Sequence, residues 1–251
     1  MNNSLLEINN LTVTIEEKKI LKSFDLTIKK KEIHILMGPN GSGKSTLSKV
    51  LAGHPAYQVN EGEVYFHKKN LLKMSLDERA HQGLFLAFQY PIEISGVTNY
   101  DFLRIAYNEK QKYFGEKEID PVAFLEIIQP YIQKLKIQPE FLYRNVNEGF
   151  SGGEKKKNEI LQMLLLQPHL IILDEIDSGL DVDAMKLICE EIMKNRISNS
   201  SFLIITHYPK ILDYFEPTHV HIMIDGKIKK TGNLELIEQL EKEGYQQFIK
   251  T

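Results

Sequence analysis

Gly38-Pro39-Asn40-Gly41-Ser42-Gly43-Lys44-Ser45 fits the phosphate-binding pattern G-x-x-x-x-G-K-[ST] at every fixed position. Such a loop turns successive backbone N–H groups toward an anion, and glycine supplies the turns without a Cβ in the way. The helix expected from Lys44 onward aims its free N–H groups at the same anion. In this pattern Lys44 reaches the β- and γ-phosphates, Ser45 offers its hydroxyl to Mg²⁺, and Thr46 completes the loop. Further along, Leu170-Ile171-Ile172-Leu173-Asp174-Glu175 reads as a buried strand that delivers two carboxylates at its C-terminal end. Ligands of open α/β sheets bind at that end. Asp174 is expected to hold Mg²⁺, directly or through water, and Glu175 to polarise the attacking water. Together the two patterns predict binding and hydrolysis of ATP.

These groups need elements to hold them. Leu5 to Ile15 and Ile20 to Ile28 read as strands, and Ile33 to Met37 is a short apolar run of the buried parallel kind, ended by Gly38. From Lys44 the spacing becomes helical until Gly53. Glu63 to His67 is a further strand, and Ser75 caps a short helix to His81. Between Tyr90 and Gln167 the apolar spacing is mostly helical, with Pro91, Pro121, Pro130 and Pro139 expected to mark breaks between helices. Leu170 to Leu173 and Phe202 to Thr206 return to buried strands, with a helix over Ala184 to Lys194. Asp225-Gly226 between two strand-like runs predicts a hairpin, and a helix closes the chain over about Leu234 to Glu243.

Composition narrows the function classes. The 251 residues carry 31 Lys and Arg against 34 Asp and Glu, a net charge of −3. That balance gives no ground for nucleic acid or an anionic membrane as partner. One cysteine, Cys189, excludes a disulfide framework or a cysteine-rich metal site within the chain, and its apolar neighbours predict a small buried side chain. His54, His67, His81, His169, His219 and His221 are each expected to be structural or solvated. Lys155-Lys156-Lys157 is expected to be a solvated helix face, with the added idea that it pairs with acids near Asp174 and Glu175. No apolar run reaches the length of a membrane span, and the first residues carry no leader signature.

Six motifs in order resemble those of the ABC-type ATPases. Beside the two phosphate motifs, Phe150-Ser151-Gly152-Gly153-Glu154 is similar to that family's signature motif, and Gln89 in Phe88-Gln89-Tyr90-Pro91 to its Q-loop. Ser178-Gly179-Leu180-Asp181 resembles the D-loop, and His207 the switch histidine. Each alone has a plain structural explanation, a helix cap for Ser151, a surface side chain for Gln89, a core imidazole for His207; their order is what chance does not supply. The resemblance implies an α/β fold, an ABC-type P-loop ATPase with a RecA-like core, an antiparallel β lobe and an inserted helical lobe. The core is expected over 1–89 and 168–251, the helical lobe over 90–167. It also implies that two chains close head to tail around two ATP molecules, Ser151, Gly152 and Gly153 of one facing the γ-phosphate held by the other. His207 then holds the γ-phosphate, and Gln89 touches metal and water. Where many members stack an aromatic residue on adenine, this chain has Ile15, so base contact there is apolar only.

The wording around the motifs is narrower still. Leu51-Ala52-Gly53-His54-Pro55, Ala87 to Ile94, Phe150 to Met163, Asp174 to Asp181 and Thr206 to Tyr214 resemble the SufC branch, the soluble ATPases of SUF iron–sulfur cluster assembly. That likeness implies SufB- and SufD-type scaffold partners, docked on the helical lobe around Tyr90 to Tyr107, with any cluster held by them. The competing readings are the nucleotide-binding subunit of a membrane transporter and a non-hydrolysing ATP-gated clamp. The lysine bias, with only Arg79, Arg104, Arg144 and Arg196 as arginines, suits a plastid-encoded protein of the stroma or the cytoplasm of an AT-rich bacterium.

Overall fold

The computed structural model describes residues 3–176, 182–194, 200–207 and 209–249. They form two compact units, Met1–Leu86 with His169–Glu175 and Ser198–Thr251, and Ala87–Pro168 with Ile176–Ile197.

The first unit begins with β1 (Ser4–Ile15) and β2 (Lys18–Lys29), an antiparallel pair joined at Glu16 and Glu17. Both turn residues take positive φ, 45° and 66°, as the tight hairpin turn demands. Phe24, Leu26 and Ile28 alternate with exposed neighbours, so one face of β2 enters the core. β3 (Ile33–Met37) is buried at all five positions, followed by α1 (Lys44–Ala52). β4 (Gln58–Phe66) and β5 (Lys69–Asn70) complete a four-stranded sheet in the order β2-β1-β4-β5, the expected antiparallel lobe. α2 (Leu76–His81) starts at Ser75 with a full capping box to Glu78. Its Arg79 is buried and donates to the carbonyls of Val50 and Leu51 (2.9 and 2.8 Å) at the end of α1, groups that a helix leaves without internal partners. β6 (Leu84–Ala87) was not expected from its short apolar run.

In the second unit, β7 (Ile94–Thr98) leads into α3 (Asn99–Tyr113) and α4 (Pro121–Lys134), and β8 (Asn145–Val146) pairs with β7 ahead of α5 (Gly152–Leu166). Pro121 is the first residue of α4, capped by Asp120, so it opens a helix as expected of a break. Pro130 does not break anything; it sits inside α4. The helix forfeits one hydrogen bond there, and burial of Phe124, Ile128 and Ile132 along one face outweighs that loss.

β9 (Leu170–Asp174) returns to the first unit, α6 (Val182–Lys194) belongs to the second, and β10 (Ser201–Ile205), β11 (His219–Ile224), β12 (Lys227–Gly232), α7 (Glu235–Glu243) and α8 (Gln246–Ile249) complete the first. α6 thus groups with the helices of the second unit. The reason is apolar packing, because α6 lies against α5 and buries Ile188, Cys189 and Ile192. The six-stranded sheet runs β12-β11-β3-β10-β9-β6, with β11, β3, β10 and β9 parallel in sequence of pairing. Asp225 and Gly226, at φ 48° and 78°, make the β11–β12 hairpin.

Candidate nucleotide site

Three neighbouring strand ends build the site. β3 runs into the Gly38–Ser45 loop, β9 ends on Asp174, and β10, hydrogen-bonded between them, leads through Thr206 to His207. Register places Ile205 opposite both Leu36 and Asp174, so the three ends are level.

Within the loop, Gly41 and Gly43 take φ of 79° and 106°. Gly38 answers to a different need. A Cβ there would lie 2.1 Å from the Met223 carbonyl oxygen and 2.8 Å from Ser42 Oγ. Gly38→Ala is therefore expected to weaken nucleotide binding about tenfold or more, since relieving such overpacking costs ~1–3 kcal/mol. Titration with a fluorescent nucleotide checks this; unchanged affinity would show that the loop gives way freely.

Lys44 is buried, and its ammonium donates to the carbonyls of Gly38 (2.8 Å) and Pro39 (3.1 Å). Its pKa is lowered by burial, partly offset by Glu175 and Asp174. Ser45 Oγ stands 3.4 Å from Asp174 Oδ1, and the Ser48 hydroxyl donates to Asp174 Oδ2 at 2.6 Å. Burial raises the Asp174 pKa, and the Glu175 carboxylate raises it further. Two buried acids side by side with a serine hydroxyl are the hard oxygen donors that suit Mg²⁺. Ser42 Oγ is buried without a hydrogen-bond partner, which fits a loop shaped to receive phosphate oxygens. Glu175, at φ 48°, lies with one carboxylate oxygen 3.5 Å from His207 Nδ1, while the histidine is otherwise half open to solvent. Glu175 and His207 thus lie side by side at the strand ends.

Sequence reading missed two contributors. Ser48, one helical turn after Ser45, orients the Asp174 carboxylate, and the i, i+3 spacing on α1 was the available signal. Tyr245, between α7 and α8, hydrogen-bonds the Gly38 backbone, its phenol pKa pushed up by burial; nothing in the sequence flags it, being distant from every motif.

In the second unit, Ser151 caps α5, accepting from the Glu154 N–H while Glu154 accepts from the Ser151 N–H at 2.8 Å. Ser151 and Gly152 are exposed, and a Cβ at Gly153 would meet nothing within 4 Å. Gln89, Tyr90, Pro91, Phe150 and Gly152 line one hollow there, together with Lys155 and Lys156. The solvated-face expectation fails for Lys156, which is buried against Glu159 at 3.1 Å; Lys155 pairs with Glu93 and Lys157 reaches the Lys136 carbonyl. The D-loop residues Ser178 to Asp181 lie outside the described residues.

Comparison with known proteins agrees with this geometry. The profile of the ABC transporter family matches residues 21–178. A relative from Trieres chinensis named probable ATP-dependent transporter ycf16 is 55% identical, covering 98% of both chains. One from Escherichia coli strain K12, named probable ATP-dependent transporter SufC, is 48% identical over 96% of this chain and 97% of its own. A nucleotide-free ATP-binding cassette from an ABC transporter superposes with a TM-score of 0.75 at 26% identity, covering 96% of each chain. A cassette solved as a dimer with ADP and Pi shares the fold, with a TM-score of 0.77 at 22% identity over 91% of this chain and 98% of its own. With its phosphate loop, paired acids and histidine gathered on three strand ends, this chain belongs to the ABC transporter family and is one of its ATPases.

Proposed function

We propose that this ATPase is the SufC-type subunit of SUF iron–sulfur cluster assembly, using Mg²⁺-ATP to dimerise head to tail and remodel a SufB/SufD-type scaffold. The observation that carries the chemistry is the gathering of Lys44, Ser45, Asp174, Glu175 and His207 at level strand ends. Gly38 to Thr46 bind the phosphates, Ser45 and Asp174 hold Mg²⁺ with Gln89 as a further ligand, Glu175 polarises water, and His207 holds the γ-phosphate. Bound Mg²⁺ would neutralise charge on the phosphates. Ser151 to Gly153 present an open helix N-terminus, which suits the γ-phosphate of a second copy. Loss of that phosphate removes the bridge and shifts the population toward open chains.

Full-length identity to a SufC-named relative supports the assembly role. The partner surface is assigned to Tyr90–Tyr107, where Tyr90, Ile92 and Ile105 expose apolar area while Asn99 and Leu103 are core. Relatives in algae and in a cyanobacterium support a plastid stroma or a bacterial cytoplasm. Among the described residues no helix is long and apolar enough to cross a membrane. Pull-down from the native source tests the reading. A soluble scaffold pair is expected, lost when Tyr90 and Ile92 are replaced by serine. Recovery of a membrane-spanning subunit in its place would instead establish a transporter cassette, as the names of the relatives describe.

A further inference from the structure

The half of β3 away from the phosphate loop carries a second cluster. His34 on β3 and His219 on β11 are register partners of neighbouring parallel strands, and their rings stack with centroids 4.5 Å apart. Glu32, just before β3, places a carboxylate oxygen 3.0 Å from His34 Nε2. One ligand atom from each of the three lies within 4.8 Å of the others. His34 is fully buried, whereas Glu32 and His219 are partly exposed, so the cluster is anchored inside and open on one side.

The geometry points to a divalent transition-metal site formed by Glu32, His34 and His219. Two imidazole nitrogens and one carboxylate oxygen form a borderline donor set, which selects Zn²⁺, Co²⁺ or Ni²⁺ over Mg²⁺ or Ca²⁺. Three protein ligands leave a fourth position for water. Bonds of ~2.0–2.1 Å require the donors to close in; Glu32, which accepts from the Lys29 N–H at 2.7 Å, and His219, 3.1 Å from Thr218 Oγ1, shift from these partners to do so.

What separates this cluster from a chance grouping is the support behind His34. Its Nδ1 lies 2.9 Å from Nε2 of His221, whose Nδ1 lies 2.8 Å from Thr231 Oγ1. Ligand histidines in metal sites have such a partner on the far nitrogen, fixing tautomer and ring orientation. Without metal, the ionised Glu32 accepts from His34 Nε2–H, His34 Nδ1 accepts from His221 Nε2–H, and His221 Nδ1 accepts from the Thr231 hydroxyl. With metal on His34 Nε2, the bond to Glu32 is replaced and the other two reverse: His34 Nδ1–H donates to His221, and His221 Nδ1–H donates to Thr231. Each imidazole keeps one proton in both states, so His34 yields its Nε2 with no net loss of protons from the chain of groups.

The test is titration of the chelator-treated, nucleotide-free full chain with Co²⁺, whose visible d–d bands report its ligands. A single equivalent is expected to bind, and Zn²⁺ to displace it. His219→Ala and Glu32→Gln should each weaken binding about 100-fold, and Thr231→Val about tenfold; all three sites reach solvent, so folding is retained and is checked by circular dichroism. Asp174→Asn should leave the signal intact, separating this site from the nucleotide site. Absence of bands in the unreplaced chain, or unchanged affinity in His219→Ala, overturns the assignment.

Discussion

Exchanging Glu175 for glutamine is expected to lower ATP turnover by about 10³-fold while ATP-bound dimers accumulate. Removing a positioned general base costs ~10²–10⁴ in rate, and glutamine keeps the volume and one acceptor oxygen. Folding should not suffer. The Glu175 carboxylate works against ionisation of the neighbouring Asp174, whose pKa it raises, so removing that charge relieves a buried like-charge pair. The same removal takes one negative charge away from the anionic γ-phosphate, so nucleotide is held at least as well. His207, 3.5 Å from Glu175 Oε1, keeps a neutral partner. Phosphate release and size-exclusion chromatography in Mg²⁺-ATP measure both effects. Retained turnover would move the base elsewhere, and an unreplaced chain with no turnover at all would sink hydrolysis.

The site was legible where chemistry imposes a local pattern. Gly38 to Ser45 and the strand ending in Asp174 could be read because phosphate and metal each demand fixed residue types at fixed spacing. β3 could be read because both of its faces are buried, leaving an unbroken apolar run. β6 was not, because four apolar residues look alike in a strand and a helix. Pro130 misled because local propensity says break while the buried face of α4 says continue. Lys156 misled for a related reason: three successive lysines on a helix point in different directions, and the middle one points inward. The histidine cluster could not be read at all. His34 and His221 are 187 residues apart, and the two halves of the cluster meet only through the β3–β11 register.

That inward lysine gives the second large expected effect, on stability. Lys156 and Glu159 form an ion pair with both side chains nearly sealed from solvent, at 5% and 6% exposure. Glu159 also accepts the Phe88 N–H at 2.7 Å, and Lys156 donates to the Phe88 carbonyl. One charged pair therefore holds both backbone groups of the residue preceding Gln89. Burial raises the Glu159 pKa in spite of Lys156 beside it, so desolvation outweighs the attraction and the pair is a poor source of net stability. Breaking it is another matter. Glu159→Gln strands the Lys156 charge and is expected to cost ~3–5 kcal/mol, read as a lower urea midpoint. Lys156→Met with Glu159→Leu removes both charges and should recover part of that loss, although the two Phe88 backbone groups lose these partners. ATP turnover separates structure from positioning. If the clamp serves Gln89, the double variant regains stability but stays slow, and Gln89→Ala added to it causes little further loss. Turnover that recovers in step with the urea midpoint would show the pair to be structural alone.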